Sequence, residues 1–239
     1  FISKAVESVQ KQTFTDWELM VLDDDSKDNT GAILEAYRAK DSRIKYYKNS
    51  PALGIPKNRN RGVELSIGEY IAMLDSDDYW TDEDKLKKQI DILNSDNNIG
   101  IVGSAMTMIR EDGSIIKKRY EYRTDDRGIR NNILMKNQFM QSSVLFKKSI
   151  FEKVGGYNQD YDVAEDLDLF LRIGKESKFA NLKESTLNYL VHSSNISKSK
   201  VKMALTVDKI IEKYKKDYPG YLKAKTISIA RIIKCYLNL

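Results

Sequence analysis

The sequence predicts an α/β protein in which a mostly parallel sheet is flanked by helices. Through the first half of the chain, short apolar segments with the length of buried strands alternate with amphipathic segments that have the period of helices. Two of the strand segments end in clusters of aspartates, at 23–25 and 75–78. Because parallel α/β sheets bind ligands at the carboxyl ends of their strands, we expect the functional site at the edge where both clusters lie.

The elements of the first half follow from apolar spacing and from residues that begin helices. Ile2, Ala5 and Val9 lie on one face of a helix. Cap-forming side chains at 28–30 precede the second helix, and Pro56 stands near the start of the third, where a missing N–H is tolerated. In chain order we predict a helix over 1–12, a strand over 17–22, a helix that follows the caps at 28–30 and ends at about 40, a strand over 44–48, a helix over 56–65, a strand over 69–74, a helix over 82–94 and a strand over 99–106.

The second half is less regular. A turn at 111–113 separates two strand segments, and Gly155-Gly156 marks another turn. Leu167, Phe170 and Leu171 recur at the spacing of one helix face. We predict a strand over 115–122, a helix over 127–135, a strand over 143–146, a short helix, a helix over 165–173, strands over 179–182 and 186–191, and helical structure from about 197 to the end.

Composition excludes several kinds of site. The 239 residues are 41% hydrophobic and 31% charged, and they contain no apolar run long enough to span a membrane. With one cysteine, Cys235, and one histidine, His192, the chain cannot form an internal disulfide, a zinc cluster or a site built from two histidines. Glycine-rich loops of the G-x-G-x-x-G and G-x-x-x-x-G-K types are absent, which disfavours nicotinamide and P-loop enzymes. The cytoplasm is the expected compartment.

The net charge of +5 is concentrated near the end of the chain. Residues 198–239 carry eleven basic and three acidic side chains, a net charge of +8, so 1–197 is mildly acidic and no nucleic-acid partner is expected. The same tail contains an apolar stripe at helical spacing, formed by Ile229, Ile232, Ile233, Tyr236 and Leu237. Such a basic amphipathic helix either lies on an anionic membrane or packs on the catalytic domain, and both interpretations stay open.

The acidic clusters allow a functional and a structural interpretation. Asp75 and Asp77, two residues apart at a strand end, point to the same side, and paired carboxylates suit Mg²⁺ or Mn²⁺ holding a diphosphate. The alternative is a solvated acidic turn before the helix that begins at Asp82. Glu165 and Asp166 either contribute a general base or are acids favoured by the helix macrodipole.

Four ordered blocks of the sequence resemble a known family. They are WELMVLDDDSKDNT, GIPKNRNRGVELSIGEYIAMLDSDDYW, SSVLFKKSIFEKVGGYNQDYDVAEDLDLFLRI and LNYLVHSSNIS. Their order and spacing resemble glycosyltransferase family 2, the inverting nucleotide-sugar enzymes of the GT-A fold, and most of all bacterial enzymes of cell-surface polysaccharide synthesis. The resemblance covers 1–197 and implies a GT-A domain there, with 198–239 as a basic helical extension.

On the donor side, the resemblance implies roles for five residues. Asp24 corresponds to the acid that binds the nucleotide base, usually uracil. Arg59 and Asn60 correspond to an Arg-Asn pair in the helix before the D-x-D motif, and Arg59 is expected to contact the nucleotide. Asp75 is expected beside the ribose, and Trp80 is expected to line the donor or acceptor cleft.

For catalysis, the resemblance implies a metal-dependent single displacement with inversion. Asp77 would bind Mn²⁺ or Mg²⁺, with Asp75 and His192 as the further metal ligands, since His192 falls where the family often has a histidine in a loop over the donor. Asp166 would be the general base that deprotonates the acceptor hydroxyl, preceded by Glu165. The partners would be a nucleoside-diphosphate sugar, with a UDP-sugar as the expected donor, and a glycan or lipid-linked glycan acceptor, at the inner face of the plasma membrane if the tail binds there.

The resemblance also sets expectations for the start of the chain and for rival functions. Family members begin with a strand before the first helix, whereas this chain begins within that helix, so we expect a truncated N-terminus. A catalytically silent member that binds glycans or acts as a scaffold remains an alternative. A sugar-phosphate nucleotidylyltransferase is a weaker one, because its glycine-rich loop is not found.

Overall fold

A computed structural model describes residues 1–192 and 200–237. The helices are α1 (Ile2–Gln10), α2 (Thr30–Arg38), α3 (Ile55–Leu65), α4 (Lys85–Ser95), α5 (Asp126–Arg130), α6 (Lys148–Lys153), α7 (Glu165–Glu176), α8 (Lys200–Lys213) and α9 (Tyr221–Tyr236). The strands are β1 (Leu19–Asp23), β2 (Ile44–Lys48), β3 (Tyr70–Ala72), β4 (Tyr79–Trp80), β5 (Ile99–Arg110), β6 (Ile115–Tyr120), β7 (Leu145–Lys147) and β8 (Lys178–Val191). The alternation of helices and strands predicted for the first half is confirmed.

The strands form two sheets. β1 and β2 pair in parallel, with Leu19 beside Ile44. The larger sheet has the order β3-β7-β5-β8-β4, with β6 paired to β5. Within the described ranges, β5 and β8 are parallel, whereas β3–β7, β5–β7, β4–β8 and β5–β6 are antiparallel. The α/β class is confirmed, but the expectation of a mostly parallel sheet is corrected to a mixed one, since β7 runs antiparallel between β3 and β5, and β6 folds back on β5 through a short turn.

The long strand β8 corrects the expectation of two short strands over 179–182 and 186–191. Leu182 pairs with Ser104 and Ser185 with Ala105, so Lys183 and Glu184 lie outside the register. This irregularity lets the charged residues face solvent while the strand continues beside β5. Strand β8 therefore leads directly to His192, the last residue of the first described range.

The central core lies under α7. Leu167, Phe170 and Leu171 are buried there, as their helical spacing predicts. Phe139 contacts Phe170 and Phe179, with ring centroids 5.2 and 5.4 Å apart. Burial of several large side chains along one face, each worth about 1.5–3 kcal/mol, holds the N-terminus of α7 in place against the sheet.

The C-terminal region is two helices rather than one. The chain turns at Tyr218-Pro219-Gly220, where Gly220 has a φ of 81°, a conformation that glycine adopts without strain. Ile210 of α8 and Tyr214, which directly follows that helix, are buried in the same core cluster as residues of α7. The expected division at 197 lies outside the described residues. None of the helices in the described ranges has both the length and the apolar character needed to cross a membrane.

Candidate active site

The centre of the site is an arginine that joins two acidic segments distant in the chain. Arg59, on α3, donates from Nη2 to Asp75 Oδ1 at 2.6 Å and from Nη1 to Glu165 Oε1. Its side chain is 16% exposed and that of Glu165 is 9% exposed, so the pair with Glu165 is largely shielded from water, whereas Asp75 is 36% exposed. Arg59 therefore connects the D-x-D loop to the N-terminus of α7. The family resemblance implied only that Arg59 contacts the nucleotide.

Two adjacent carboxylates begin α7, and the structure gives them different surroundings. Glu165 is 6% exposed and paired with Arg59; burial and the charge of Asp166 raise its pKa to about 7. Asp166 is partly exposed and accepts hydrogen bonds from Asn137 Nδ2 at 3.2 Å and from the Leu167 N–H at 2.8 Å. Burial raises the pKa of Asp166, against the effect of the Arg59 charge. Asp166 is thus the more exposed of the two residues.

The last two acids of the cluster after β3, Asp77 and Asp78, have different partners. Asp77 Oδ2 lies 2.8 Å from His192 Nε2, so the D-x-D motif and the end of β8 meet. Asp78 is buried and accepts hydrogen bonds from Ser142 Oγ at 2.5 Å and from the Leu190 N–H at 3.0 Å. Burial raises the pKa of Asp78 to about 8. Asp78 fixes the end of β8 against the D-x-D loop, a role that our sequence analysis missed although it is the third acid of the cluster.

Few side chains of the site are placed to act as ligands of a divalent metal ion. Among residues 1–192 and 200–237, no group of three or more His, Cys, Asp or Glu side chains could hold an ion. The structure does place one carboxylate, Asp77, beside one imidazole, His192. Asp75, the third expected ligand, is paired with Arg59 instead. Two protein ligands fit Mg²⁺ or Mn²⁺, which commonly take their remaining ligands from substrate phosphates and water.

Asp24 directly follows β1, and its carboxylate lies at the beginning of α3, where it accepts hydrogen bonds from the protein. Oδ1 accepts from Asn49 Nδ2 and the Leu53 N–H, both at 2.7 Å, and Oδ2 accepts from the Gly54 N–H at 2.8 Å. Burial acts to raise the pKa of Asp24, but these hydrogen bonds outweigh it and lower the pKa. The carboxylate therefore holds the loop before α3, and its contact with a base stays a prediction.

Two residues expected at the donor make hydrogen bonds within the fold. Asn60 donates from Nδ2 to the Tyr157 carbonyl at 2.9 Å and accepts the Tyr157 N–H on Oδ1 at 2.8 Å, so its amide holds the turn at Gly155-Gly156. Trp80 is 6% exposed, donates from Nε1 to the Ser142 carbonyl at 2.8 Å and packs under Lys85. The polar atoms of both side chains are thus used inside the fold, and the expected roles of Asn60 at the nucleotide and of Trp80 in the cleft stay predictions.

Asn137 is a further site residue that the sequence did not reveal. It precedes Phe139, whose N–H it accepts at 3.1 Å, and this turn directs its amide N–H groups toward Asp166. Asn137 stands in a short polar segment with no motif around it. Its position depends on how the loop before the 3-10 helix packs against α7.

The comparison with protein families decides the identity of this arrangement. The sequence model described as glycosyl transferase family 2 matches residues 1–155. The chain belongs to glycosyl transferase family 2. The match contains the acids at 23–25 and 75–78 and the helix of Arg59, and it goes against the nucleotidylyltransferase alternative.

Curated relatives of this family 2 chain include enzymes named for polysaccharide synthesis. It is 30% identical over 205 residues to the O-antigen biosynthesis glycosyltransferase WbnJ of Escherichia coli, covering 83% of this chain and 78% of that protein. It is 27% identical over 201 residues to the chondroitin synthase of Escherichia coli, covering 84% of this chain. The chain spans only 28% of the length of that synthase.

Solved structures confirm the GT-A fold of this family 2 chain. The S. aureus protein TarS in complex with UDP-GlcNAc is similar with a TM-score of 0.72 at 17% identity, covering 100% of this chain and 69% of that one. The mannosyltransferase PcManGT from Pyrobaculum calidifontis, in complex with GDP-Man and Mn²⁺, has a TM-score of 0.69 at 15% identity, covering 99% of this chain and 71% of that one.

Proposed function

We propose that this protein is an inverting glycosyltransferase that moves a sugar from a nucleoside-diphosphate sugar, a UDP-sugar in the first instance, to a hydroxyl of a glycan or lipid-linked glycan in surface polysaccharide synthesis. The observation that carries the proposal is the convergence of the D-x-D loop and the N-terminus of α7 through Arg59, which contacts Asp75 and Glu165. This arrangement sets a partly exposed carboxylate, Asp166, beside the loop expected to hold a diphosphate.

The carboxylates divide the chemical work. Arg59 occupies Glu165 and holds it in the interior, so Glu165 supports the site rather than reacting. Asp166 accepts hydrogen bonds that orient it and retains access to solvent, and its raised pKa makes it a stronger base once ionised. Asp166 would take the proton of the acceptor hydroxyl as that oxygen attacks the anomeric carbon opposite the departing diphosphate, and a single displacement of this kind inverts the configuration.

We further propose that Asp77 and His192 hold a divalent ion, Mn²⁺ or Mg²⁺. When bound, the ion would neutralise the charge that grows on the departing diphosphate. The two side chains lie 2.8 Å apart and are oriented by neighbours, because Asp78 accepts the Leu190 N–H two residues before His192. The Mn²⁺ complex of PcManGT, a protein of the same fold, supports the choice of ion.

Asp77→Ala should weaken metal-dependent nucleotide binding, because it removes the carboxylate expected to link the ion to the protein. Calorimetric titration of UDP, GDP and dTDP, each with and without Mn²⁺, measures this. We expect one nucleotide, UDP, to bind the wild type with Mn²⁺, and binding to fall by about 10–100-fold in the variant, as for loss of a charged interaction of about 1.5–3 kcal/mol.

The matched control is Asp91→Ala, which removes an exposed aspartate on α4 and should change nothing. Unchanged UDP binding by Asp77→Ala would refute the metal assignment. If the folded wild type bound no nucleotide at all, the silent scaffold would replace the enzyme as the better reading.

The exposed face of α9 supports a proposal about location. Ala224 and Ser228 are buried, and Lys225 pairs with Asp208 of α8, so one face of α9 packs on the protein. The expected apolar stripe lies largely on the other side: Ile229, Ile233, Tyr236 and Leu237 are 46–64% exposed. Arg231 and Lys234 lie beside it. We propose that this surface rests on an anionic membrane at its cytoplasmic face, near a lipid-linked acceptor.

Flotation with vesicles tests this location in the full chain. The wild type should float with phosphatidylglycerol-containing vesicles and not with pure phosphatidylcholine. Joint replacement Ile229→Asp and Ile233→Asp should weaken binding about tenfold or more, since each apolar side chain buried in lipid contributes about 1.5–3 kcal/mol. Ile67→Asp is the control, because Ile67 is 90% exposed elsewhere on the surface. A wild type that stays with the unbound fraction contradicts the membrane proposal.

A further inference from the structure

A cluster of two tyrosines and a lysine lies beside the proposed base and has no role in the mechanism above. The rings of Tyr120 and Tyr122 are 5.4 Å apart between centroids, at 53° to each other. Lys136 Nζ lies 3.9 Å from the centroid of Tyr120 and 6.0 Å from that of Tyr122. We refer to these three residues as the tyrosine–lysine cluster.

Two observations connect the tyrosine–lysine cluster to Asp166. Lys136 directly precedes Asn137, whose amide donates to Asp166 Oδ2 at 3.2 Å. Burial, followed by the charges of Tyr120 and Asp166, raises the pKa of Tyr122, so the Tyr122 hydroxyl lies within electrostatic range of the Asp166 carboxylate. A molecule in contact with Tyr122 would therefore be in reach of the base.

The charges closest to the ring of Tyr120 are those of two lysines. Lys117 Nζ lies 4.3 Å from the centroid of Tyr120. Across the part of the chain that the structure describes, no carboxylate lies within ion-pair distance of Lys117 or Lys136; Glu121, in the same segment, pairs with Arg119. Two ammonium groups held over an aromatic ring without a counter-ion favour the approach of an anion.

We propose that the tyrosine–lysine cluster is the acceptor subsite and that it takes a sugar ring bearing an anionic group, a carboxylate or a phosphate. The C–H groups on one face of a pyranose carry partial positive charge and pack on the negative face of an aromatic ring such as Tyr122. Lys136 then binds the anionic substituent, and the ring presents a hydroxyl to Asp166. This inference rests on the proposed function, since it requires that Asp166 faces an acceptor.

Binding of three methyl glycosides, measured by ligand-observed NMR titration with and without UDP and Mn²⁺, tests the subsite. The probes are methyl β-glucuronide, methyl β-glucoside 6-phosphate and the neutral methyl β-glucoside. We expect the wild type to bind at least one anionic probe about tenfold more tightly than the neutral one, the usual scale of a charge-assisted hydrogen bond. The better of the two anionic probes tells whether the group is a uronic carboxylate or a phosphate.

Variants assign the selectivity to particular side chains. Lys136→Met keeps the packing of the stem and should reduce the preference for the anionic probe to near unity, while affinity for the neutral glucoside stays unchanged. Tyr122→Ala should weaken all probes, and Tyr122→Phe should restore them. Lys118→Met, at an exposed position of β6, is the control and should retain the preference.

Equal affinity for all three probes, failure of all three to bind, or a preference that survives Lys136→Met would each overturn the subsite. The UDP titration of the same samples separates this from the proposed function. UDP binding without discrimination among the glycosides contradicts the subsite alone, whereas loss of UDP binding with intact glycoside selectivity contradicts the proposed donor and leaves the subsite supported.

Discussion

Asp166→Asn should reduce the rate of glycosyl transfer by about 10²–10⁴-fold, the usual contribution of a general base, and leave UDP affinity unchanged. The asparagine keeps the size of the side chain and can still accept from the Leu167 N–H, but it cannot take a proton from the acceptor. Because burial raises the pKa of Asp166 above its ordinary value, the wild-type rate should rise with pH as this carboxyl ionises. Release of UDP from a UDP-sugar in the presence of acceptor measures the rate.

An exposed aspartate in the preceding loop provides the control for this variant. Asp160→Asn changes an exposed carboxylate in the loop before α7 and should leave the rate within about twofold of the wild type. If Asp166→Asn retained near-normal transfer, the assignment of the base would be wrong. Glu165, buried against Arg59, would then have to be reconsidered.

Arg59→Met should destabilise the protein by about 3 kcal/mol at pH 8 and abolish transfer, because breaking a buried ion pair leaves its partner uncompensated. The variant removes the cation from two carboxylates, Glu165 and Asp75, of which Glu165 is buried and Asp75 is about one-third exposed. Methionine retains much of the volume, so the loss reports charge more than packing. Urea unfolding at pH 5 and pH 8 measures the change.

The effect of Arg59→Met should depend on pH with a definite sign. Glu165 has a pKa near 7 even with Arg59 beside it, and removing the cation raises that pKa further above the unfolded value. The unfolded chain then releases the proton at lower pH than the folded chain, so stability of the variant falls as pH rises through this range. At pH 5 the carboxyl is largely neutral in both proteins, and the difference between them should be smaller than at pH 8.

Lys57→Met on the same helix separates this effect from a general response of α3. Lys57 is exposed, and its replacement should change the free energy of unfolding by no more than about 0.5 kcal/mol. An Arg59→Met loss that is equal at pH 5 and pH 8 would contradict the role of Arg59 as the counter-ion of Glu165.

Local patterns predicted most of the elements because their signals are short-range. The strand at Ile44–Lys48 coincides with its prediction, and α7 begins at Glu165 as predicted, since apolar spacing and acids in the first turn both mark it. The two-residue strand β4 carried no such signal. It exists because Trp80 pairs with Leu187 of β8, more than a hundred residues away.

For the site, too, short-range features were predictable and long-range contacts were not. The D-x-D pair and the Glu165-Asp166 pair were recognised as candidates from residue type and spacing, and the family resemblance that they carried is confirmed. Their individual partners were not predictable. Asn60 and Trp80 look like ligand groups in the sequence, yet their polar atoms bond to Tyr157 and Ser142.

By itself, therefore, the sequence determined the α/β class, the order of the elements and the chemistry of the acids, since these depend on residue type and near-neighbour spacing. The tertiary structure alone decided that the sheet is mixed, that Arg59 joins Asp75 to Glu165, and that Asp166 is more exposed than Glu165. The physical reason is that ion pairing and burial depend on which distant segments pack together. The spacing of residues along the chain does not show directly which segments pack together.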